Sequence, residues 1–163
     1  QYLQQKSWDQ AIESFQKGIT FGQQNPGTHY SLGVAFANRG KELGKAEDFA
    51  QAEHHYRRSL EFGVVKNEAG YALAILQFYH LDRKEEALGF MEGYIAQNKK
   101  LYRARFGLGK MYYEAGKHDR ALAVYEDLYA DLQKLRESPM VEEYKNACRE
   151  NISRLTGEMS RKK

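Results

Sequence analysis

Small and bulky apolar residues recur along this chain at helical spacing, most clearly in its second half. Leu108 and Tyr112 lie four residues apart, as do Ala121 and Tyr125, so each pair shares one face of a helix. Gly116 lies between the two pairs, and glycine is common where a helix ends in a left-handed turn. This stretch therefore predicts two helices joined by a short turn.

The pairing of a small residue with a larger one, four positions later, occurs four times. The pairs are Ala11–Phe15, Ala52–Tyr56, Ala87–Met91 and Ala121–Tyr125. Their alanines are separated by 41, 35 and 34 residues. A repeat of about 34 residues is typical of proteins built from stacked helical hairpins.

The first interval is longer by seven residues, which predicts an insertion between positions 40 and 49. Seven residues are close to two helical turns. We therefore expect about one extra turn in each helix of this hairpin, with its tip projecting from the array, because that keeps the later faces in phase. An irregular loop is the alternative.

These motifs resemble the tetratricopeptide repeat (TPR) family, which has Leu-Gly-x-x-Tyr in the first helix of each unit and Ala-x-x-x-Phe in the second. The first-helix motif reads Leu32-Gly33-x-x-Phe36 in one unit and Leu108-Gly109-x-x-Tyr112 in another. The middle unit departs from it, with Ala74-Ile75 in place of Leu-Gly. The resemblance covers roughly residues 1 to 130 and implies an all-α TPR α-solenoid, a right-handed superhelix of helix-turn-helix repeats.

The spacing divides the chain into a repeat array and a C-terminal capping helix with a basic tail. The predicted ranges are 1–26, 27–65, 66–99 and 100–137 for about 3.5 repeats, and 138–163 for the cap and tail. Because the chain opens within a unit, we expect the natural chain to be longer on its N-terminal side, with a leader or anchor removed. Ser138 and Pro139 predict the start of the last helix, since serine caps helices and proline is tolerated in their first turn.

Local signals predict the limits of other helices. We expect one helix over residues 8–23 with Ser7 as its N-cap, after the last turn of an earlier helix at Tyr2 and Leu3. We expect a second helix to begin at Thr28, and a late one to run from about 118 to 137. The single cysteine, Cys148, is predicted to be buried.

Composition limits the classes of function. The net charge is +3 with both signs mixed, which is typical of a solvated surface rather than of a nucleic-acid-binding protein. The sequence has no run of 18 apolar residues, so we predict no membrane span. The cytoplasm and the periplasm both stay open as compartments.

No residue pattern predicts catalysis, a metal site or a cofactor. His54 and His55 are adjacent, and neighbouring helical residues point about 100° apart, so they are poorly placed to share one metal. His118-Asp119 is interpreted as a helix start, and the sequence has neither a phosphate-binding glycine loop nor a nucleophile motif. We therefore predict that the protein is not an enzyme and binds no small-molecule substrate.

The family resemblance implies a partner-binding groove, because the first helices of successive units line its inner surface. Offsets from the Leu-Gly motif select the positions Tyr30, Val34, Asn38, Leu76, Tyr79, His80, Arg103, Phe106, Lys110 and Tyr113. This set is mostly apolar and aromatic, with a basic end. It predicts a scaffold that binds an apolar or aromatic peptide or helix of a partner protein, with Arg103 or Lys110 meeting an acidic residue.

Three alternatives stay open. Some of these side chains could pack inside the array rather than face a partner. Basic and aromatic residues interleave over 99–113, as in a surface that stacks nucleic-acid bases, although acidic residues lie close by. The third alternative is self-association into a homo-oligomer through the open N-terminal edge.

Overall fold

The computed structural model describes residues 2–22, 25–62 and 68–161, with side chains from residue 7 onward. Within these ranges it contains eight helices and no strand, so the predicted all-α class is confirmed. The helices are α1 (Tyr2–Thr20), α2 (Pro26–Leu43), α3 (Ala46–Glu61), α4 (Ala69–Tyr79), α5 (Lys84–Gln97), α6 (Tyr102–Glu114), α7 (His118–Gln133) and α8 (Pro139–Ser160).

The chain divides into two compact units, Gln1–Phe90 (unit 1) and Met91–Lys163 (unit 2), with the division inside α5. In unit 1, α2 packs against α1, α3 and α4, and α3 also packs against α4. In unit 2, α7 packs against both α6 and α8. Each unit therefore has its own set of paired helices.

The motif glycines let the two helices of a hairpin approach closely. A Cβ atom at Gly33 would lie 2.5 Å from ring carbons of Tyr56, and one at Gly109 would lie 2.7 Å from those of Tyr125. Real Cβ contacts are essentially never this short. The glycine and the later tyrosine thus form the same contact in the α2–α3 and α6–α7 hairpins.

The inserted residues lengthen both helices of the α2–α3 hairpin. After its motif glycine α2 continues for ten residues, whereas α6 continues for five. Before its partner tyrosine α3 has ten residues, whereas α7 has seven. The expected extra turn in each helix is confirmed, and the tight turn between them includes Gly44 in the left-handed conformation (φ 66°).

The predicted limits of three helices are wrong, and the first of these helices, α1, also ends at Thr20 rather than at residue 23. Because neither proline nor glycine interrupts residues 2–17, α1 is continuous from Tyr2, and Ser7 lies inside it rather than at its N-cap. α2 begins at Pro26, because Asn25 Oδ1 accepts a hydrogen bond from the Thr28 amide (2.8 Å) and so caps the helix earlier than expected. α7 ends at Gln133, four residues before the predicted limit.

The start of α8 is as predicted. Ser138 is the N-cap, and its Oγ accepts a hydrogen bond from the Val141 amide at 3.3 Å. Cys148 is fully buried, and burial raises the pKa of its thiol to about 11. Lys145 is also buried, and its Nζ is paired with a carboxylate oxygen of Glu137 at 2.5 Å.

We expect Ser138→Ala to lower the free energy of unfolding of unit 2 by about 1 kcal/mol, because it removes an N-cap hydrogen bond. Urea denaturation followed by circular dichroism measures this change. Ser153→Ala, at an exposed position inside the same helix, is the control and should be neutral or slightly stabilising. Equal losses for the two variants would contradict the capping role.

Parts of the predicted organisation fall outside the described residues, namely the repeat limit between 65 and 66 and the last two residues of the basic tail. The repeat limits therefore stay a prediction. Among the described helices, none combines the length and the apolar character that crossing a membrane requires.

Candidate functional site

Three of the predicted groove residues lie on α2. Tyr30, Val34 and Asn38 are four positions apart, so they share one face, and each is half-buried. The ring centroid of Tyr30 lies 6.0 Å from that of Tyr56, and Tyr30 and Val34 both pack against the core of unit 1. The core of unit 1 therefore supports Tyr30 and Val34, while part of each side chain stays exposed.

On α4 the three predicted residues differ in exposure. Leu76 is 2% exposed and belongs to the core, so it is not accessible to a partner. Tyr79 is 40% exposed and makes an edge-to-face contact with Phe78, with ring centroids 4.9 Å apart. His80 is exposed, and its ring stacks on Phe49 of α3 at 4.6 Å. The accessible predicted residues of the two helices are called the α2–α4 surface: Tyr30, Val34 and Asn38 of α2, with Tyr30 near the start of that helix, and Tyr79 and His80 at the C-terminal end of α4.

His80 is the titratable residue of this surface, and Lys41 is the positive charge that acts on it. Burial lowers the pKa of His80, and the positive charge of Lys41 lowers it further. The ring is therefore neutral at neutral pH, and the positive charge nearby is carried by lysine. An acidic group on a partner would be attracted to Lys41 rather than to the imidazole.

Arg39 ties together the three helices behind this surface, a role that sequence analysis missed. Its Nε and Nη2 donate to the two carboxylate oxygens of Asp48 on α3 (2.8 and 2.6 Å), and its Nη1 donates to Asp9 on α1 (2.5 Å). Asp48 is 3% exposed. The hydrogen bonds that Arg39 donates to Asp48, and then the one to Asp9, raise the pKa of Arg39 although burial opposes them, so the guanidinium stays charged.

In unit 2, α8 covers the two aromatic residues predicted on α6. Phe106 lies between Tyr125 and Tyr144, with ring centroids 5.2 and 6.0 Å away. The Tyr113 hydroxyl donates to Glu158 (3.1 Å), and the Arg154 guanidinium lies 4.3 Å from the centre of the Tyr113 ring. Much of the apolar surface of these rings is thus used within unit 2, as the packing alternative had allowed.

The two predicted basic residues of α6 remain at the surface. Arg103 is exposed. Lys110 is also exposed, and its Nζ lies 3.7 Å from a carboxylate oxygen of Glu114 on the next turn. Both positions are accessible to an acidic group of a partner.

Arg105, a basic residue within the stretch that could bind nucleic acid, is buried and so is not available for binding. Arg105 is 4% exposed, and its guanidinium contacts Asp127 (2.8 Å), Asp131 (3.0 Å) and the backbone carbonyl of Lys99 (3.1 Å). It holds α6 against α7 instead of facing a phosphate. The basic residues over 99–113 therefore do not form one continuous exposed row.

Unit 1 also contains a pocket of about 380 Å³ that sequence analysis missed. Its lining comes from Arg57, Leu60 and Glu61 of α3, Leu73 of α4 and Phe90 of α5. No sequence signal marks it, because it arises where three helices meet. As for metals, the described ranges contain no group of three or more histidine, cysteine or acidic side chains placed to hold an ion.

Two family models match the sequence in separate places. One, described as TPR repeat, matches residues 1–40, and the other, described as Tetratricopeptide repeat, matches residues 94–135. This chain belongs to the tetratricopeptide repeat family. TPR proteins are typically non-enzymatic, and this TPR chain is a protein-interaction scaffold.

A solved structure, the crystal structure of MamA protein, has a similar fold. The TM-score is 0.59 at 21% identity, and the match covers 96% of this TPR protein and 85% of the MamA chain. At that identity the likeness shows the fold alone. No curated protein matches this TPR sequence.

Proposed function

We propose that this TPR protein binds an apolar or aromatic segment of a partner protein on the α2–α4 surface of unit 1. The observation that carries the proposal is the exposure of Tyr79, a large aromatic side chain on α4 that is 40% exposed; Tyr30 and Val34 on α2 add half-buried apolar side chains. Partly exposed aromatic residues on a rigid support are typical of the residues that dominate binding energy in protein interfaces.

The chemistry of the surface specifies the kind of segment. Tyr30, Val34 and Tyr79 offer apolar area, while Asn38 supplies an amide that can donate and accept hydrogen bonds. A helix with apolar residues at every third or fourth position, or an extended segment with alternating ones, fits such a surface. An acidic residue near its end would meet Lys41. In unit 2, Arg103 and Lys110 are the corresponding candidates to meet acidic residues.

We expect Tyr79→Ala to weaken binding at least tenfold, because truncating a central aromatic contact commonly costs about 2 kcal/mol. The probe is a set of random 16-residue peptides, displayed on phage and selected on the wild-type protein. The dissociation constants of the selected peptides are then measured by isothermal titration calorimetry.

Phe21→Ala is the matched control, since Phe21 is 83% exposed and lies beyond the end of α1, outside the α2–α4 surface. It should leave the dissociation constants unchanged. If folded Tyr79→Ala protein binds the peptides as tightly as wild type, the proposed surface is wrong. Selected peptides without aromatic or aliphatic residues would contradict the proposed chemistry.

A further inference from the structure

Two histidines face each other inside the α2–α3 hairpin. The Nδ1 atoms of His29 and His55 are 3.1 Å apart, whereas their ring centroids are 5.3 Å apart with 27° between the planes. The nitrogen-bearing edges therefore point at each other, and the contact is a hydrogen bond close to the ring planes. Such a bond needs one Nδ1 with a proton and one without.

A phenylalanine ring packs against each histidine. Phe62 lies 5.8 Å from His29, and Phe36 lies 5.7 Å from His55, both nearly parallel to the histidine they contact. His29 is 5% exposed, and its Nε2 is buried without a hydrogen-bond partner in the described part of the chain. These surroundings favour neutral rings, because a buried cation without a counter-charge is costly.

The surroundings of the Nε2 atom of His29 decide which of the two histidines donates the hydrogen bond. If His55 donated at Nδ1, neutral His29 would carry its proton at Nε2, where it has no acceptor. The arrangement in which His29 donates from Nδ1 is better, because His29 Nε2 then carries only a lone pair. An added proton then has two poor destinations. On His29 Nε2 it creates a buried N–H without an acceptor, and on His55 Nδ1 it sets two N–H groups against each other.

The charged neighbours do not offset this cost. Those that act on the pair are His54, Arg58 and Glu61, all on α3. Burial lowers the pKa of His29; Arg58 and His54 lower it further, and Glu61 raises it. Burial, followed by His54 and His29, lowers the pKa of His55 to about 4.

We propose that the His29–His55 pair is an acid-sensitive contact between α2 and α3, which we call the joint. It stabilises unit 1 while both rings are neutral, and it weakens when the pair takes up protons. The direction follows from linkage. The unfolded chain binds protons at each histidine near pH 6.5, whereas the folded joint resists them until lower pH. The stability that the joint contributes is therefore complete above about pH 6.5 and is lost progressively as the pH falls below it.

The test compares urea unfolding at pH 7.5 and pH 5.0. Fluorescence of Trp8, the single tryptophan, reports on unit 1, because Trp8 lies in α1 and packs against its core. For the wild type we expect the equilibrium constant for unfolding to rise roughly thirtyfold between these pH values, from the displaced titration of His55 alone. In the double variant His29→Asn with His55→Asn we expect a much smaller rise, to which His80 of unit 1, whose pKa is also lowered, still contributes.

His118→Asn is the matched control, because His118 also stacks on an aromatic ring, that of Tyr113, but in unit 2. Its fluorescence transition should shift with pH as the wild type does. An equal shift in the double variant would overturn the proposal. If the double variant does not fold, NMR titration of the wild-type imidazoles decides: both rings neutral at pH 5.0 in the folded protein support the joint, and a folded-state pKa near 6.5 for either ring overturns it.

Discussion

Replacing Asp48 with alanine is expected to destabilise unit 1 by about 3–5 kcal/mol, because it leaves a largely buried guanidinium without its main partner. Asp48 is 3% exposed and accepts two hydrogen bonds from Arg39, whose side chain is 19% exposed. The remaining partner, Asp9, is 49% exposed and binds a single guanidinium nitrogen. The loss is measured as the shift of the Trp8 fluorescence transition in urea.

Glu47→Ala is the matched control for this loss. Glu47 and Asp48 are neighbouring carboxylates in the first turn of α3, so both favour the positive end of the helix dipole, but Glu47 is exposed. We expect a loss of no more than about 1 kcal/mol for Glu47→Ala. Replacing the whole pair, as Arg39→Met with Asp48→Leu, should recover most of the stability, since no buried charge is then left alone. A similar loss for Asp48→Ala and Glu47→Ala would show that the ion pair matters little.

Gly33→Ala is expected to destabilise unit 1 by about 1–2 kcal/mol, because overpacking costs up to about 3 kcal/mol and the better helix propensity of alanine offsets about 1 kcal/mol of it. The new methyl group would lie 2.5 Å from ring carbons of Tyr56, which is 4% exposed and has little room to move. Overpacking therefore outweighs helix propensity at this position. Urea denaturation of the purified variant measures the net effect.

Gly89→Ala is the matched control in the same unit, because it adds a methyl group to a helix where there is space for it. A Cβ atom at Gly89 of α5 meets nothing within 4 Å, so only the gain in helix propensity remains, and we expect about 0.5–1 kcal/mol of stabilisation. Tyr56→Leu should reduce the penalty of Gly33→Ala, because the smaller side chain makes room, and a double-mutant cycle measures this coupling. A penalty that is unchanged in the Tyr56→Leu background would show that the clash is not with this ring.

The solvent exposure of the candidate binding residues could not be predicted from their sequence positions alone. Offsets from the Leu-Gly motif treat Val34, Leu76 and Lys110 as equivalent, yet these residues are half-buried, buried and exposed, respectively. Their burial depends on which helix packs beside them. In the same way, Phe106 and Tyr113 occupy the predicted positions, but α8 covers them, and the repeat pattern contains no information about how a terminal helix packs.

The burial of charged residues was likewise not predictable from the sequence. Basic residues such as Arg105 and Lys145 are usually exposed, but here each is buried and paired with an acidic residue outside its own helix, Asp127 and Asp131 for Arg105 and Glu137 for Lys145. A sequence contains the charges but not the distances between them. The Arg39–Asp48 pair and the His29–His55 contact escaped prediction for that reason, since both join side chains on different helices.

By itself the sequence determined the all-α class, the added turns of α2 and α3, the start of α8 and the family. Those features depend on local spacing, because apolar residues that recur at helical intervals and capping residues next to them act within a short stretch of chain. Only the tertiary structure decided which aromatic and charged side chains stay accessible and which pairs share a proton or a charge. Burial and ion pairing depend on distances between separate helices, which the packing of the whole unit sets.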